Sequence, residues 1–151
     1  MRPLAAMKSS KGIFIVKQDL LLCQTLKEAL QVRHLFVCGY ATTGKEAISM
    51  LSALRPDVAL IGAELPDMSG LEIIKFIKQQ QLPCRCIVYS KVSMPIYLKQ
   101  GMEYGIKGYL YANSGFAELH YCIHEVMEGR EYIVPSGQQI VESPGVQPPN
   151  W

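Results

Sequence analysis

The chain has 151 residues, of which 49% are hydrophobic and 19% charged, and its formal net charge is +2. That length suits one domain rather than two, and that composition can bury a core, which excludes a disordered chain. So small a charge does not mark a nucleic-acid or membrane-surface protein, and no apolar run reaches the roughly 18 residues that span a bilayer.

Residues 1–11 lack the long apolar stretch of a signal peptide, so a cytoplasmic protein is expected. The five cysteines, Cys23, Cys38, Cys84, Cys86 and Cys122, are odd in number and have no CxxC spacing. They read as small buried hydrophobes in a reducing compartment rather than as a disulfide framework or a zinc site. Cys84 and Cys86 alternate along a predicted strand and would face the same side.

In chain order, Gly12–Lys17 (GIFIVK) reads as a buried strand. A helix follows over Leu20–Gln31, with Leu22, Leu26, Ala29 and Leu30 at helical spacing. Leu35–Ala41 is a second strand. Thr43 and Glu46 form a capping box for a helix that carries Ala47, Ile48, Leu51 and Leu54, and Pro56 ends that region. Asp57–Ile61 (DVALI) is a third strand, Ala63–Gly70 a loop, and Gly70–Gln80 a helix with Leu71, Ile74 and Ile77 on one face. Cys84–Tyr89 is a fourth strand. Ser93–Tyr104 predicts a helix that tolerates Pro95 in its first turn and ends on Gly105. Lys107–Tyr111 is a fifth strand. Ser114 is placed to cap a last helix, Gly115–Glu128, which buries Phe116, Leu119, Ile123 and Val126 and stops at Gly129.

Five strands alternating with five helices imply an α/β fold, a doubly wound parallel sheet covered on both faces. Ligands of such sheets sit beyond the carboxyl ends of the strands. The loops to inspect are therefore 17–19, 62–70, 90–93 and 112–114. The tail, 137–151, holds Pro144, Gly145, Pro148 and Pro149 and reads as a linker or disordered end. Domain boundaries follow as residues 1–11, 12–136 and 137–151.

Three stretches carry a resemblance: IFIVKQD near the start, RPDVALIGAELPDMSGLEII in the middle, and GIKGYLYANSGFAELHYCIHEVMEGREYIVPS near the end. From about Lys11 to Ser136 the chain resembles the receiver domain of LuxR-type response regulators. The resemblance implies a flavodoxin-like (βα)5 sheet in the order 2-1-3-4-5. It also implies a phosphorylation pocket. Two acids after the first strand hold magnesium, an aspartate after the third accepts the phosphoryl group, and a hydroxyl after the fourth and a lysine after the fifth bind its oxygens.

Carried over, the acid pair falls on Lys17 and Gln18, the acceptor on Gly62, the lysine on Ala112, and the proline that often follows it on Asn113. Only the hydroxyl, Ser90, is of the expected type, and Tyr109 stands at an aromatic position that reports the state of the domain. Four of the five chemical positions thus lack the needed group, and a degenerate receiver acting by protein–protein contact is expected. Lys17 is read either as a built-in cation filling the metal position or as a side chain extended into solvent. Asp19 matches the acid pair only if the first strand slips by a residue, which would reverse the face of every side chain. Glu64 and Asp67 read as solvent-facing loop acids.

His120 and His124 lie four residues apart, and Glu128 continues the stripe, but a polar helix face explains all three. Tyr97, Tyr104, Tyr111 and Tyr121 spread over the fourth helix, fifth strand and fifth helix, and are the candidate interface with a protein partner or a second copy of the chain. No catalytic triad, glycine-rich phosphate loop or metal cluster is evident, so no enzyme, cofactor or metal is expected. The alternative reading is the regulatory domain of a DNA-binding response regulator whose helix-turn-helix is missing from this chain. Direct nucleic-acid binding by these residues is not expected.

Overall fold

The apolar runs Ile13–Val16 and Val58–Ile61 are buried at every position, so both faces of these strands must be covered. A computed structural model describes residues 11–90, 95–111 and 114–134, with the side chains of 95–97 outside that description. Its elements are β1 (Ile13–Val16), α1 (Leu20–Val32), β2 (Val37–Ala41), α2 (Gly44–Leu54), β3 (Val58–Ile61), α3 (Gly70–Gln79), β4 (Arg85–Ser90), α4 (Pro95–Glu103), β5 (Gly108–Tyr111), α5 (Phe116–Met127) and β6 (Tyr132–Ile133). The strands form one parallel sheet in the order β2-β1-β3-β4-β5-β6.

This is the doubly wound sheet expected from the alternation, with one strand more. Tyr132–Ile133 is too short to carry a period-2 pattern. It joins the sheet because its backbone pairs with Gly108 and Tyr109 of β5. Helices α2, α3 and α4 pack side by side. Arg33, at the end of α1, lies 5.2 Å above the Phe116 ring and brings α1 to α5. In α1 the buried residues are Cys23, Leu26 and Leu30, with Leu22 and Ala29 half-buried beside them.

Local signals set most boundaries. Asp19 caps α1 by accepting from the Leu22 N–H at 3.2 Å, and Thr43 caps α2 by accepting from the Glu46 N–H at 3.2 Å. Gly105 and Gly129 take positive φ after α4 and α5. The expected Ser114 cap is corrected: Gly115, at φ 97, is the N-cap of α5, and no side chain makes a capping bond there. The Ser93 start of α4 and the tail from 137 lie outside the described residues.

The carboxyl-terminal part is tied down by polar side chains. Tyr132 Oη donates to Glu118 Oε2 at 2.7 Å, with both residues buried, and Tyr121 packs edge-on against Tyr132 with ring centroids 5.4 Å apart. Burial, reinforced by the Glu118 carboxylate, pushes the Tyr132 phenol well above its ordinary value. At the surface Arg130 Nε meets Glu125 Oε1 at 2.7 Å. Removing the Tyr132 hydroxyl leaves a buried carboxylate short of a donor. Tyr132→Phe is therefore expected to cost about 1–3 kcal/mol, read as a lower urea midpoint at unchanged slope.

Candidate functional site

Parallel strands end together, so their carboxyl ends gather residues distant in sequence. The β1–β3 register runs from Ile13 opposite Val58 to Val16 opposite Ile61, so Lys17 and Gly62 follow as neighbours on adjacent strands. The Gly62 N–H donates to the Val16 carbonyl at 2.8 Å. Ser90 is the last residue of β4 and is buried. Lys17, Gln18, Asp19, Glu64, Tyr89 and Ser90 line a cleft of about 360 Å³ at this edge. Of the pocket positions carried over from the resemblance, Lys17, Gln18, Gly62 and Ser90 are thus brought together, while Ala112 lies outside the described residues.

Lys17 does not extend into solvent. Its side chain is 7% exposed, and its Nζ donates to the Tyr89 carbonyl at 2.9 Å while lying 4.8 Å from the centroid of the Tyr89 ring. The strands lie in the order β1-β3-β4, so the lysine must cross the end of β3 to make this bond. It crosses at Gly62: a Cβ there would sit 3.2 Å from Lys17 Cδ and 3.4 Å from Nζ. A hydrogen bond with a charged partner is worth about 1.5–3 kcal/mol net, so this contact is a structural element and not a surface ornament. Neither of its ends signals the other in the sequence, because the partner is a backbone carbonyl 72 residues away.

The loop after β3 is held closed on itself. Leu65 N–H donates to the Met68 carbonyl at 3.0 Å, and Gly70 N–H to the Ala63 carbonyl at 2.8 Å. Gly70 has a steric reason to be glycine, since a Cβ would run into the Gly62 carbonyl. Glu64 is exposed and bridges the loop backbone to Ser69. Asp67 is exposed but engaged. Its Oδ1 accepts from the Gly44 N–H at 2.8 Å and its Oδ2 from the Lys45 N–H at 3.0 Å, so it caps α2 from another loop. Those two bonds, Gly44's first, hold the carboxyl below its ordinary value.

The aromatic positions divide. Tyr109 is fully buried, and its ring meets Tyr111 edge-on at 5.8 Å. Tyr111 is itself only 5% exposed, which corrects its expected place on an interface: β5 points it into its own domain. Tyr104 and Tyr121 are half-buried, and the Tyr97 side chain lies outside the described residues. His124 is exposed and His120 half-buried beside Phe116; burial, then Arg33 and His124, hold the His120 imidazole below its usual value. No cluster of three or more His, Cys, Asp or Glu able to hold a metal occurs among the described residues. Among them, no helix is long and apolar enough to cross a membrane.

A parallel sheet with this order and a polar cleft at its carboxyl edge is a flavodoxin-like doubly wound fold, whose ligands sit beyond the carboxyl ends of the strands. Residues 13–124 match the family model described as the response regulator receiver domain, and the chain belongs to that family. It is similar to the transcriptional regulatory protein DesR of Bacillus subtilis, 31% identical over 125 residues that cover 82% of this chain and 62% of DesR. It is 29% identical to the transcriptional regulatory protein NarL of Mycobacterium tuberculosis over 66% of this chain and 46% of NarL. The chain thus spans roughly half to three fifths of the length of these curated relatives. The solved signal receiver domain of the response regulator NarL from Mycobacterium tuberculosis superposes with a TM-score of 0.73 at 26% identity, covering 80% of this chain and 99% of that one.

The Asp67 cap has a pH signature. A carboxyl held below its unfolded value, near 3.8, contributes stability that is present above that value and lost as pH falls through the folded one. Between about pH 5 and pH 2, wild type should therefore lose more stability than Asp67→Asn, measured as the urea midpoint at each pH. Parallel acid limbs in the two proteins would show that Asp67 does not cap α2.

Proposed function

We propose that this receiver signals without aspartyl-phosphate chemistry, acting through contact with a protein partner or a second copy of the chain. The observation that supports the reading best is the Lys17 ammonium lying across Gly62, at the neighbouring strand ends where an acid pair and an acceptor carboxylate would stand. Gly62 has no carboxylate to form an acyl phosphate. The cation repels a divalent ion. Two unit charges 4 Å apart interact by about 4 kcal/mol at an effective dielectric of 20, and a double charge makes that about 8. Gln18 adds a neutral amide where magnesium wants carboxylate oxygens. Asp67 is committed to α2, and Glu64 sits on the exposed loop without an acid pair beside it.

The partner face we assign to α4, β5 and α5, with Tyr104 and Tyr121 half-buried there and Met102 exposed. A second reading has support in the relatives: DesR and NarL are named transcriptional regulatory proteins, and this chain matches only part of each. On that reading these residues are the regulatory domain of a longer DNA-binding regulator, and the same face transmits to the domain that follows.

Incubation with acetyl phosphate and magnesium is expected to leave the intact mass unchanged. Gly62→Asp alone should not restore phosphorylation, because the new carboxylate would stand beside the Lys17 ammonium and form an internal ion pair. The combined Lys17→Asp, Gln18→Asp, Gly62→Asp, Ala112→Lys variant should react faster by about two decades or more, since one positioned charge-stabilising group is worth two to three decades of rate. An acid-labile phosphoryl group on wild type would overturn the reading. For the partner face, Tyr104→Ala and Tyr121→Ala should each weaken association by about 2 kcal/mol if they are hot spots, read by sedimentation and by capture of the partner.

A further inference from the structure

The β3–β4 ladder ends with Ile61 opposite Val88. The next carbonyl of β4, that of Tyr89, accepts a hydrogen bond from Lys17 Nζ. Tyr89 and Ser90 pair on their other side with Leu110 and Tyr111 of β5. The lysine therefore reaches from the end of β1, over the end of β3, to the last rungs joining β4 and β5.

We propose that Lys17 is a positioning residue whose side chain is a strap: it passes over Gly62 and holds the carboxyl end of β4, with the β5 rungs beside it, in one conformation without covalent modification. The inference rests on reading this pocket as one that forms no acyl phosphate, and adds what the pocket does in its place. In a two-state domain, a fixed internal contact made in only one state biases the equilibrium toward that state as a ligand would. Here the contact is built into the sequence at two positions that require each other. The strap needs an ammonium at 17 and room at 62: even a Cβ there would sit 3.2 Å from Lys17 Cδ, so a larger side chain would compete with the lysine stem for its path. The burial of Ser90 and Tyr111 at the far end of the strap makes that end a place where a change in packing has to be discrete.

The test uses the full chain, labelled for NMR, as wild type, Lys17→Met, Gly62→Val and the double variant. Lys17→Met keeps an unbranched apolar stem in the same space and removes the donor. Gly62→Val keeps the lysine and blocks its path. Each single variant is expected to move the Tyr89 carbonyl resonance and to speed amide exchange at Ser90 and Tyr111 by about tenfold, the loss of one charge-assisted hydrogen bond. The double variant should be no worse than either single one, because both remove the same contact. Wild-type carbonyl shift and exchange in Lys17→Met would overturn the strap, as would effects of the two substitutions that add. If Lys17→Met is too unstable to assign, Gly62→Val alone decides, with an unmoved Tyr89 carbonyl overturning the proposal. None of these readouts involves a phosphodonor. Phosphorylation of wild type would sink the function proposed above and leave only the Lys17–Tyr89 contact standing, whereas an unmoved Tyr89 would sink the strap and leave that function untouched.

Discussion

Strands β1 and β3 have no polar face. Each of their eight residues is buried, so each must be covered above and below, and only helices returning over both sides of a parallel sheet can do that. Polar chemistry is then barred from the faces and confined to the strand ends. That constraint brings Lys17, Gln18, Gly62 and Ser90 to one edge, though 73 positions of sequence separate the first from the last. It also explains the rest of the edge. The loops there must satisfy their own backbone groups, and they do so with the Leu65–Met68 and Gly70–Ala63 bonds and with Asp67 on the first turn of α2.

A lysine taken out of water needs its protons satisfied, or burial costs several kcal/mol. The Tyr89 carbonyl meets one of them and the Tyr89 ring supplies a second favourable contact. The identity of residue 62 is part of the same requirement. A side chain there and the Lys17 stem compete for one space, so the two positions are understood only as a pair. The cation and the glycine would each look like a loss of function if read singly. Together they make a defined contact, and the proposed independence from phosphate follows from that contact as much as from the missing carboxylates.

The opposite end of the sheet shows how burial redistributes aromatic residues. Tyr109 and Tyr111 lie two apart on β5 and pack on each other, whereas Tyr121 turns toward Tyr132 of β6. The buried Glu118–Tyr132 pair fixes β6 against α5, and β6 covers the edge of β5 that a five-stranded sheet would leave open. Of the four tyrosines read as an interface, Tyr111 is buried, Tyr104 and Tyr121 are half-buried, and the Tyr97 side chain lies outside the described residues.

The sequence by itself determined the alternation of strands and helices, the cap at Thr43, the glycine stops at Gly105 and Gly129, and hence the parallel sheet and the edge to inspect. These are legible because their causes are local: hydrophobic period, a capping oxygen three residues from its N–H, a backbone that needs positive φ. It also named Lys17 and Gly62, but it left the lysine's direction open between pocket and solvent. Only the tertiary structure decided that the ammonium crosses Gly62 to Tyr89, that Asp67 caps a helix in another part of the chain, that Tyr111 is buried, and that Tyr132–Ile133 is a strand. Each of these rests on a partner brought close by strand order. A backbone carbonyl or an edge strand leaves no mark in the sequence to say which distant residue will need it.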